Sequence, residues 1–212
     1  MAYVLGFFAA DGTMISNNRG AHFIEFHNTD KILLRKIRQA MNSEHKISIR
    51  KRQKAHHKTG YRLQIGSKEF FEDLEKMGFM PNKSKVLKMP VVPERYFGDF
   101  VRGYFDGDGN IYFKKLRRSD NNKMRWVFTS RFTCGSKNFL KDLLAKLHKI
   151  NGFNGGFITE KKGHRGFDLV FSSRDSVALS KLMYNNLISG LFLPRKFRVF
   201  KKAIQILYGP VV

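Results

Sequence analysis

Hydrophobic residues recur along this chain in two patterns, and each pattern occurs twice. Residues 26–41 and 132–147 overlay at an offset of 106, and their apolar positions repeat every three or four residues, as on one face of a helix. At the same offset, residues 61–69 overlay 167–175, where apolar and polar residues alternate as in a half-buried strand. A repeated series of helix and strand patterns predicts two related halves.

Each half is expected to consist of a helix, two strands, a second helix, two more strands and a third helix. We predict an N-terminal half at residues 1–89 and a C-terminal half at residues 90–212, with a linker at residues 88–96 that contains Pro90 and Pro93. The predicted fold class is α+β. Two αββαββα halves are related by a pseudo-twofold axis, with their first helices packed at the centre and their antiparallel sheets forming a saddle.

The net charge adds a constraint on partners. Lys and Arg number 40 against 17 Asp and Glu in 212 residues, which gives a formal net charge of +23. Because so large a charge opposes compaction, a polyanionic partner is expected, and nucleic acid is favoured over a membrane surface, since no apolar run reaches about 18 residues. A single cysteine, Cys134, excludes a disulfide framework and a multi-cysteine zinc site. With no targeting signal seen, an intracellular protein is expected, in the cytoplasm of a prokaryote or a phage-infected cell, or in an organelle.

Two similar segments stand almost a hundred residues apart. They are VLGFFAADG at residues 4–12 and VRGYFDGDG at residues 101–109, and both are predicted to be helices that end in Asp-Gly. Gly6 and Gly103 interrupt their apolar stretches, although glycine inside a helix costs roughly 0.5–1 kcal/mol relative to alanine. Small residues let two helix backbones approach closely, so we expect these two helices to pack together and to bring their C-terminal ends side by side.

An acidic residue ends each of these predicted helices, at Asp11 and Asp108. The C-terminal end of a helix is already negative, so two neighbouring carboxylates there repel each other unless a cation lies between them. Carboxylate and carbonyl oxygens suit Mg²⁺, and such an ion beside DNA activates water and stabilises the leaving oxygen of a phosphodiester. The alternative is a pair of capped helices with exposed acids. The duplication of the motif in a strongly basic chain argues against that alternative.

Both segments resemble the LAGLIDADG signature, and the order of the halves resembles the double-motif, monomeric LAGLIDADG homing endonucleases. The second segment is the closer match, because the first has Ala9 where the signature has its earlier acid. The resemblance implies that the later acids, Asp11 and Asp108, are the catalytic metal ligands. It also implies that the backbone carbonyls of Ala10 and Gly107 are secondary ligands.

The resemblance further implies polar groups around the two acids. It assigns a basic residue facing the active-site water to Lys83 in the first half and to Lys196 in the second. It places a polar, water-orienting residue at Asn28, where the second strand meets the next helix, and the overlay puts Cys134 at the matching position. Cysteine is a poor substitute for asparagine, so unequal cleavage rates on the two strands are expected. Asp106, the earlier acid of the second motif, is expected at a packing position.

Polar residues on one face of the predicted sheets are candidate DNA contacts. Alternation turns apolar side chains, Ile47 and Ile49 among them, towards the helices and turns the polar set outward. Arg, Lys, Gln, Asn and Glu suit the base edges of the major groove. A seven-residue strand spans roughly 23 Å, so two sheets predict a target of roughly 18–22 base pairs. The candidates are Thr13, Ile15, Asn17, Arg19, Glu25, Ser48, Arg50, Arg52, Arg62 and Gln64 in the first half and Asn110, Tyr112, Lys114, Thr129, Arg131 and Asp168 in the second.

These features predict a monomeric, site-specific DNA endonuclease that acts in intron homing on a long, asymmetric target. The resemblance implies Mg²⁺ as cofactor, with Mn²⁺ as a substitute and Ca²⁺ supporting binding without cleavage, and it implies products with 3′ overhangs. The expected partner is double-stranded DNA, with no membrane and no protein partner. Two alternatives stay open, an RNA-binding intron maturase and a non-catalytic DNA-binding regulator of the same fold.

Overall fold

The computed structural model describes residues 1–50, 59–185, 187 and 190–209, which form two sheets and their surrounding helices. The elements before residue 90 are α1 (Ala2–Asp11), β1 (Gly12–Ser16), β2 (His22–Asn28), α2 (Lys31–Ala40), β3 (Ile47–Arg50), β4 (Gly60–Gly66), α3 (Lys68–Lys76) and a short 3₁₀ helix (Lys83–Lys85). The elements after it are α4 (Glu94–Asp108), β5 (Gly109–Arg117), β6 (Met124–Cys134), α5 (Lys137–His148), β7 (Phe157–Glu160), β8 (Phe167–Phe171), α6 (Ser173–Tyr184) and α7 (Pro194–Tyr208).

The two sheets share one topology. Their strand orders are β1-β2-β4-β3 and β5-β6-β8-β7, and every described pairing is antiparallel. The predicted α+β fold with two αββαββα repeats is therefore confirmed. Helix α7 was not predicted and follows the second repeat. Its sequence signals are Pro194 in the first turn and Phe200 and Ala203 on the buried side.

The middle helix of each repeat begins at the capping residue that the overlay pairs. The side chain of Asp30 accepts a hydrogen bond from the backbone N–H of Leu33 at 3.1 Å, and Ser136 accepts one from Phe139 at 3.3 Å. Each cap satisfies an N–H group that has no partner within its own helix. The apolar faces predicted from helical spacing are buried, at Leu33, Leu34 and Ile37 in α2 and at Phe139, Leu140, Leu143 and Leu147 in α5.

Helices α1 and α4 pack against each other at the centre, with their backbones in direct contact. A Cβ added to Gly6 would lie 2.0 Å from the carbonyl oxygen of Phe100, and one added to Gly103 would lie 2.0 Å from that of Tyr3. Real Cβ atoms do not approach an oxygen so closely, so only glycine fits at either position. This close contact between the two helices explains why glycine stands at both positions in spite of its cost inside a helix.

Each sheet has one face against the helices and an opposite face, called here the open face. The buried face carries Ile24, Phe26 and Leu63 in the first sheet and Phe128, Phe132 and Leu169 in the second. The strand registers place Thr13, Glu25, His27, Arg62 and Gln64 on the open face of the first sheet and Tyr112, Thr129, Arg131, Thr133 and Asp168 on that of the second.

One inward prediction for the first sheet is wrong. Ile49 is 69% exposed, whereas Ile47 packs against the core as predicted. Strand β3 is the edge strand of its sheet, so burial ends along its length and the alternation no longer separates core from solvent.

Candidate active site and nucleic-acid interface

The two motif acids lie at adjoining helix ends. Helix α1 ends at Asp11 and helix α4 ends at Asp108, and the glycine after each acid begins a strand. A Cβ added to Gly107 would lie 2.5 Å from the Cβ of Ala10 and 3.3 Å from Oδ2 of Asp11. The structure therefore brings together both acids and both residues whose carbonyls the resemblance implies as metal ligands.

Burial makes both acids hard to ionise, and at Asp11 the charge of Asp108 adds to the effect. Burial, followed by the nearby charge of Asp108, raises the pKa of Asp11 to about 7. Burial also raises the pKa of Asp108, while the positive charges of Lys196 and Lys83 act in the opposite direction. A cation between the two carboxylates would favour their charged forms.

The available donors fit a hard divalent cation. Among the described residues, no three His, Cys, Asp or Glu side chains converge as a metal cluster. A cation at the adjoining helix ends would therefore take its ligands from the two aspartates, from helix-end carbonyls and from water or phosphate oxygens. Mg²⁺ keeps several waters and is bound through one or two carboxylates, so this sparse donor set suits it.

Lys83 and Lys196 occupy equivalent places in the two halves. Nζ of Lys83 donates to the carbonyl oxygen of Gly12 and lies 4.9 Å from the ring centroid of Phe8. Nζ of Lys196 donates to the carbonyl oxygen of Gly109 at 2.6 Å and lies 5.1 Å from the ring of the matching motif phenylalanine. Burial lowers the pKa of each lysine to about 8. The resemblance implied that both lysines lie beside the acids, and the structure places them there.

The positive charges of these lysines also partly compensate the negative charge at the two helix ends. Lys196 donates to the carbonyl oxygens of Phe105 and Asp106 as well, at 2.5 and 3.0 Å, so its ammonium group covers the last turn of α4. A cation at the C-terminal end of a helix is favourable, because that end carries partial negative charge. Each buried lysine thus offsets part of the cost of ending its helix with an acid.

The polar position beside the acids differs between the halves. Asn28, the last residue of β2, is hydrogen-bonded through its side chain to Asp11, and its Oδ1 accepts from the backbone N–H of Asp30 at 2.8 Å. The matching Cys134 is buried, and its Sγ accepts a hydrogen bond from the backbone N–H of Ser136 at 3.3 Å. Burial raises the pKa of its thiol. An amide therefore stands in the first half where a neutral thiol stands in the second.

Asp106 was predicted to occupy a packing position, and the structure shows which groups it holds together. It is fully buried, and its Oδ2 accepts hydrogen bonds from the hydroxyl of Tyr3 and from the backbone N–H of Leu193, each at 2.8 Å. Tyr3 belongs to α1, and Leu193 caps the start of the helix that carries Lys196. Asp106 therefore fixes α7 and its lysine against the central helices. Ala9 occupies the matching position in the first half, which has no such tie.

Most of the predicted DNA contacts lie on the open faces. Two of them, Glu25 and Asp168, are on those faces by register yet are buried, because neighbouring polar side chains cover them. Sequence reasoning missed His27, which lies two residues beyond Glu25 on the same face and contacts it. The period of two along β2 was the signal that could have found it.

Three predicted contacts do not lie within a described strand. Strand β1 ends at Ser16, so Asn17 and Arg19 lie in the turn that follows and not on the strand face as predicted. The side chain of Asn17 accepts two backbone N–H bonds within that turn, which commits it to the shape of the loop. Arg52 lies outside the described residues.

The protonation of Asp11 predicts how stability depends on pH in the absence of metal. The unfolded carboxyl loses its proton near pH 3.8 and the folded one near 7, so between these values the folded state holds more protons and this group lowers stability as pH rises. We expect Asp11→Asn to raise the free energy of unfolding in EDTA at pH 8, by on the order of 2–4 kcal/mol. The gain should vanish towards pH 4. Urea unfolding at both pH values measures it, and an equal gain at both would contradict the assignment.

Comparison with known proteins identifies the fold. Residues 1–77 match the family described as LAGLIDADG-like domain. The LAGLIDADG meganuclease I-AabMI bound to uncleaved DNA superposes with a TM-score of 0.63 at 11% identity, covering 96% of this chain and 88% of that one. I-SmaMI bound to uncleaved DNA with calcium ions superposes with a TM-score of 0.60 at 11% identity, covering 97% of this chain and 90% of that one. The homing endonuclease I-LtrWI bound to target DNA superposes with a TM-score of 0.57 at 13% identity, covering 97% of this chain and 88% of that one. No curated protein matches this chain.

Residues 1–77 match the LAGLIDADG-like family model, and the fold over most of the chain is that of the solved LAGLIDADG structures. The resemblance to the LAGLIDADG homing endonucleases is confirmed, by the family match over the N-terminal segment and by structures that cover most of the chain. At these identities the likeness to solved structures establishes the fold. Among the described residues, no helix is long and apolar enough to span a membrane.

Proposed function

We propose that this chain is a site-specific endonuclease that hydrolyses one phosphodiester on each strand of double-stranded DNA. The observation that carries the proposal is the meeting of Asp11 and Asp108 at the ends of two helices in backbone contact, with a buried lysine at the equivalent place in each half. The net charge of +23 and the DNA-bound LAGLIDADG structures support the choice of DNA. Both half-sites belong to one chain, so the monomer suffices.

Bound Mg²⁺ would activate water and stabilise the leaving oxygen. Asp11 and Asp108, with the backbone carbonyls of Ala10 and Gly107, are the residues that would hold it, and Mn²⁺ is expected to substitute. The calcium-containing complex of I-SmaMI with uncleaved DNA supports the use of Ca²⁺ as a binding-only ion.

The remaining side chains act by charge and by orientation. The ammonium group of Lys196 donates its three hydrogen bonds to backbone carbonyl oxygens, so it has none left for the attacking water. Lys196 therefore acts through its positive charge, which counters the negative charge of the phosphate. Lys83 supplies the same charge in the first half. Asn28 holds Asp11 by a hydrogen bond and presents an amide that orients the attacking water.

The proposal extends to the target and the products. The open-face side chains differ between the halves, so the target is asymmetric, at roughly 18–22 base pairs if each strand spans about seven of them. By likeness to the family, cleavage leaves 3′ overhangs and serves intron homing inside a cell. The test is selection of cleaved duplexes from a randomised library with Mg²⁺, with Ca²⁺ as the binding-only control. Selective binding without cleavage would favour a regulator of the same fold, and binding of a cognate intron RNA without DNA cleavage would favour a maturase.

The two strands are expected to be cut at different rates. Asn28 orients water in one half-site, whereas the buried thiol of Cys134 occupies the matching position in the other. Single-turnover cleavage of a duplex labelled differently on each strand should show rates that differ by about 10-fold or more, on the scale of one lost water-orienting group. Cys134→Asn should narrow the difference. Equal rates in the unchanged protein would contradict the assigned role of Asn28.

A further inference from the structure

A buried carboxylate on the open face of the first sheet is surrounded by donors from neighbouring residues. Oε1 of Glu25 accepts from Nε2 of Gln64 at 2.7 Å and from Nη1 of Arg62 at 3.2 Å, and Oε2 lies 2.9 Å from Nε2 of His27. The side chain of Glu25 is 6% exposed, whereas that of Arg62 is 40% exposed. The acid therefore lies beneath the polar layer, and the arginine forms part of the surface.

The second sheet contains a similar arrangement. Oδ2 of Asp168 accepts from Nη1 of Arg131 at 3.2 Å, and its Oδ1 accepts from the hydroxyl of Thr133 at 2.6 Å. The side chain of Asp168 is 9% exposed and that of Arg131 is 43% exposed. Again a covered acid holds an exposed guanidinium group.

The two pairs occupy equivalent positions with their charges exchanged. In the repeat, Glu25 overlays Arg131, and Arg62 overlays Asp168. The strand registers agree, because the pairing of β2 with β4 in the first sheet matches that of β6 with β8 in the second. The arginine therefore projects from β4 in one half and from β6 in the other.

We infer that Glu25 and Asp168 do not read bases themselves and instead hold Arg62 and Arg131 for reading guanine. This inference rests on the proposed function, since it assigns the specificity of that same DNA surface. Both oxygens of each acid have partners and the acid side chains are only 6% and 9% exposed, so neither is placed to accept from a cytosine amino group. An exposed arginine that lacked such a partner would lose more rotamer freedom when it bound a base, so a prior contact favours binding.

Guanine is the base that such an arginine selects. A guanidinium group has five N–H donors, and one nitrogen of each arginine is committed to the acid. The exposed remainder can donate two parallel hydrogen bonds to O6 and N7 of guanine in the major groove, which no other base offers as a pair of acceptors. Because the arginines project from non-equivalent strands, the two guanines are not related by the pseudo-twofold axis.

The test compares variants by position-specific binding. Unchanged protein, Arg62→Ala, Arg131→Ala, Glu25→Gln and Asp168→Asn are each incubated with a randomised duplex library in Ca²⁺, and bound duplexes are sequenced. We expect Arg62→Ala to abolish a guanine preference at one position. Glu25→Gln should weaken the preference at that same position by about 5-fold or more and leave the other half-site unchanged. Asp168→Asn should weaken the guanine preference in the second half-site and leave the first unchanged, so each acid variant is the matched control for the other.

Several outcomes would overturn the inference. If Glu25→Gln alters the preference at a position that Arg62→Ala does not affect, Glu25 itself reads a base. If Glu25→Gln changes no preference, it does not position the arginine. Either half tests the claim, so a variant that fails to fold in one sheet leaves the other to decide. Failure of the proposed function is distinguishable, because cleavage is measured separately in Mg²⁺, whereas the guanine preference is measured from binding alone in Ca²⁺.

Discussion

Asp11→Asn is expected to reduce double-strand cleavage by at least about 100-fold while leaving DNA affinity within a few-fold of its original value. Asparagine keeps the size of the side chain and one oxygen, yet it removes the negative charge that would hold a divalent cation. Asp108→Asn should have the same effect. The measurement is single-turnover cleavage in Mg²⁺, with affinity measured in Ca²⁺.

The controls separate loss of chemistry from loss of fold. Asp73→Asn removes an exposed acid of α3 that pairs with Lys76 at the surface, and it should leave cleavage unchanged. Asp11→Asn is expected to be more stable than the unchanged protein without metal, so its inactivity cannot be ascribed to unfolding. Full cleavage by Asp11→Asn would refute the metal-ligand assignment and with it the proposed function.

Gly103→Val is expected to destabilise the protein by about 3 kcal/mol or more, and to abolish cleavage with it. The new Cβ would lie 2.0 Å from the carbonyl oxygen of Tyr3 and 2.8 Å from the backbone nitrogen of Phe7. Backbone atoms of a helix cannot move aside like the end of a flexible side chain, so α1 and α4 must separate. Urea or thermal unfolding measures the loss.

A glycine elsewhere supplies the control for that substitution. A Cβ on Gly60 would lie 3.6 Å from the Cβ of Arg50, which is an ordinary contact at the edge of a sheet. Gly60→Ala should therefore change stability by less than about 1 kcal/mol. A Gly103→Val protein that unfolds like Gly60→Ala would show that the two helices are not held at backbone contact.

The close packing of α1 against α4 affects both the stability of the protein and the chemistry of the proposed site. Close helix packing forces two acids into a poorly solvated site, where burial raises the pKa of each. That arrangement costs stability without metal, and in the proposed function a bound cation would offset the cost. The buried Lys83 and Lys196 reduce the cost, because their charges favour the ionised aspartates.

The sequence by itself determined the repeat, and most of the fold follows from it. Apolar spacing predicted α2 and α5 with their caps at Asp30 and Ser136, because helix faces and N-caps depend on residues within one turn of each other. The two motif glycines predicted the contact of α1 with α4, since an interior glycine is unfavourable unless something lies against it. Helix α7 escaped prediction because it lies outside the repeat, so no second copy indicated it.

Part of the candidate site could also be predicted from the sequence, and part depended on the tertiary structure. Asp11 and Asp108 stood out in the sequence, because an acid at a helix end is unfavourable alone and occurs twice. Only the tertiary structure decided that Asp106 ties α1 to the start of α7, through partners at positions 3 and 193. It alone decided that Glu25 and Asp168 lie beneath arginines of adjacent strands. Alternation tells which face a side chain points to, but burial on that face depends on strand partners that are distant in the chain.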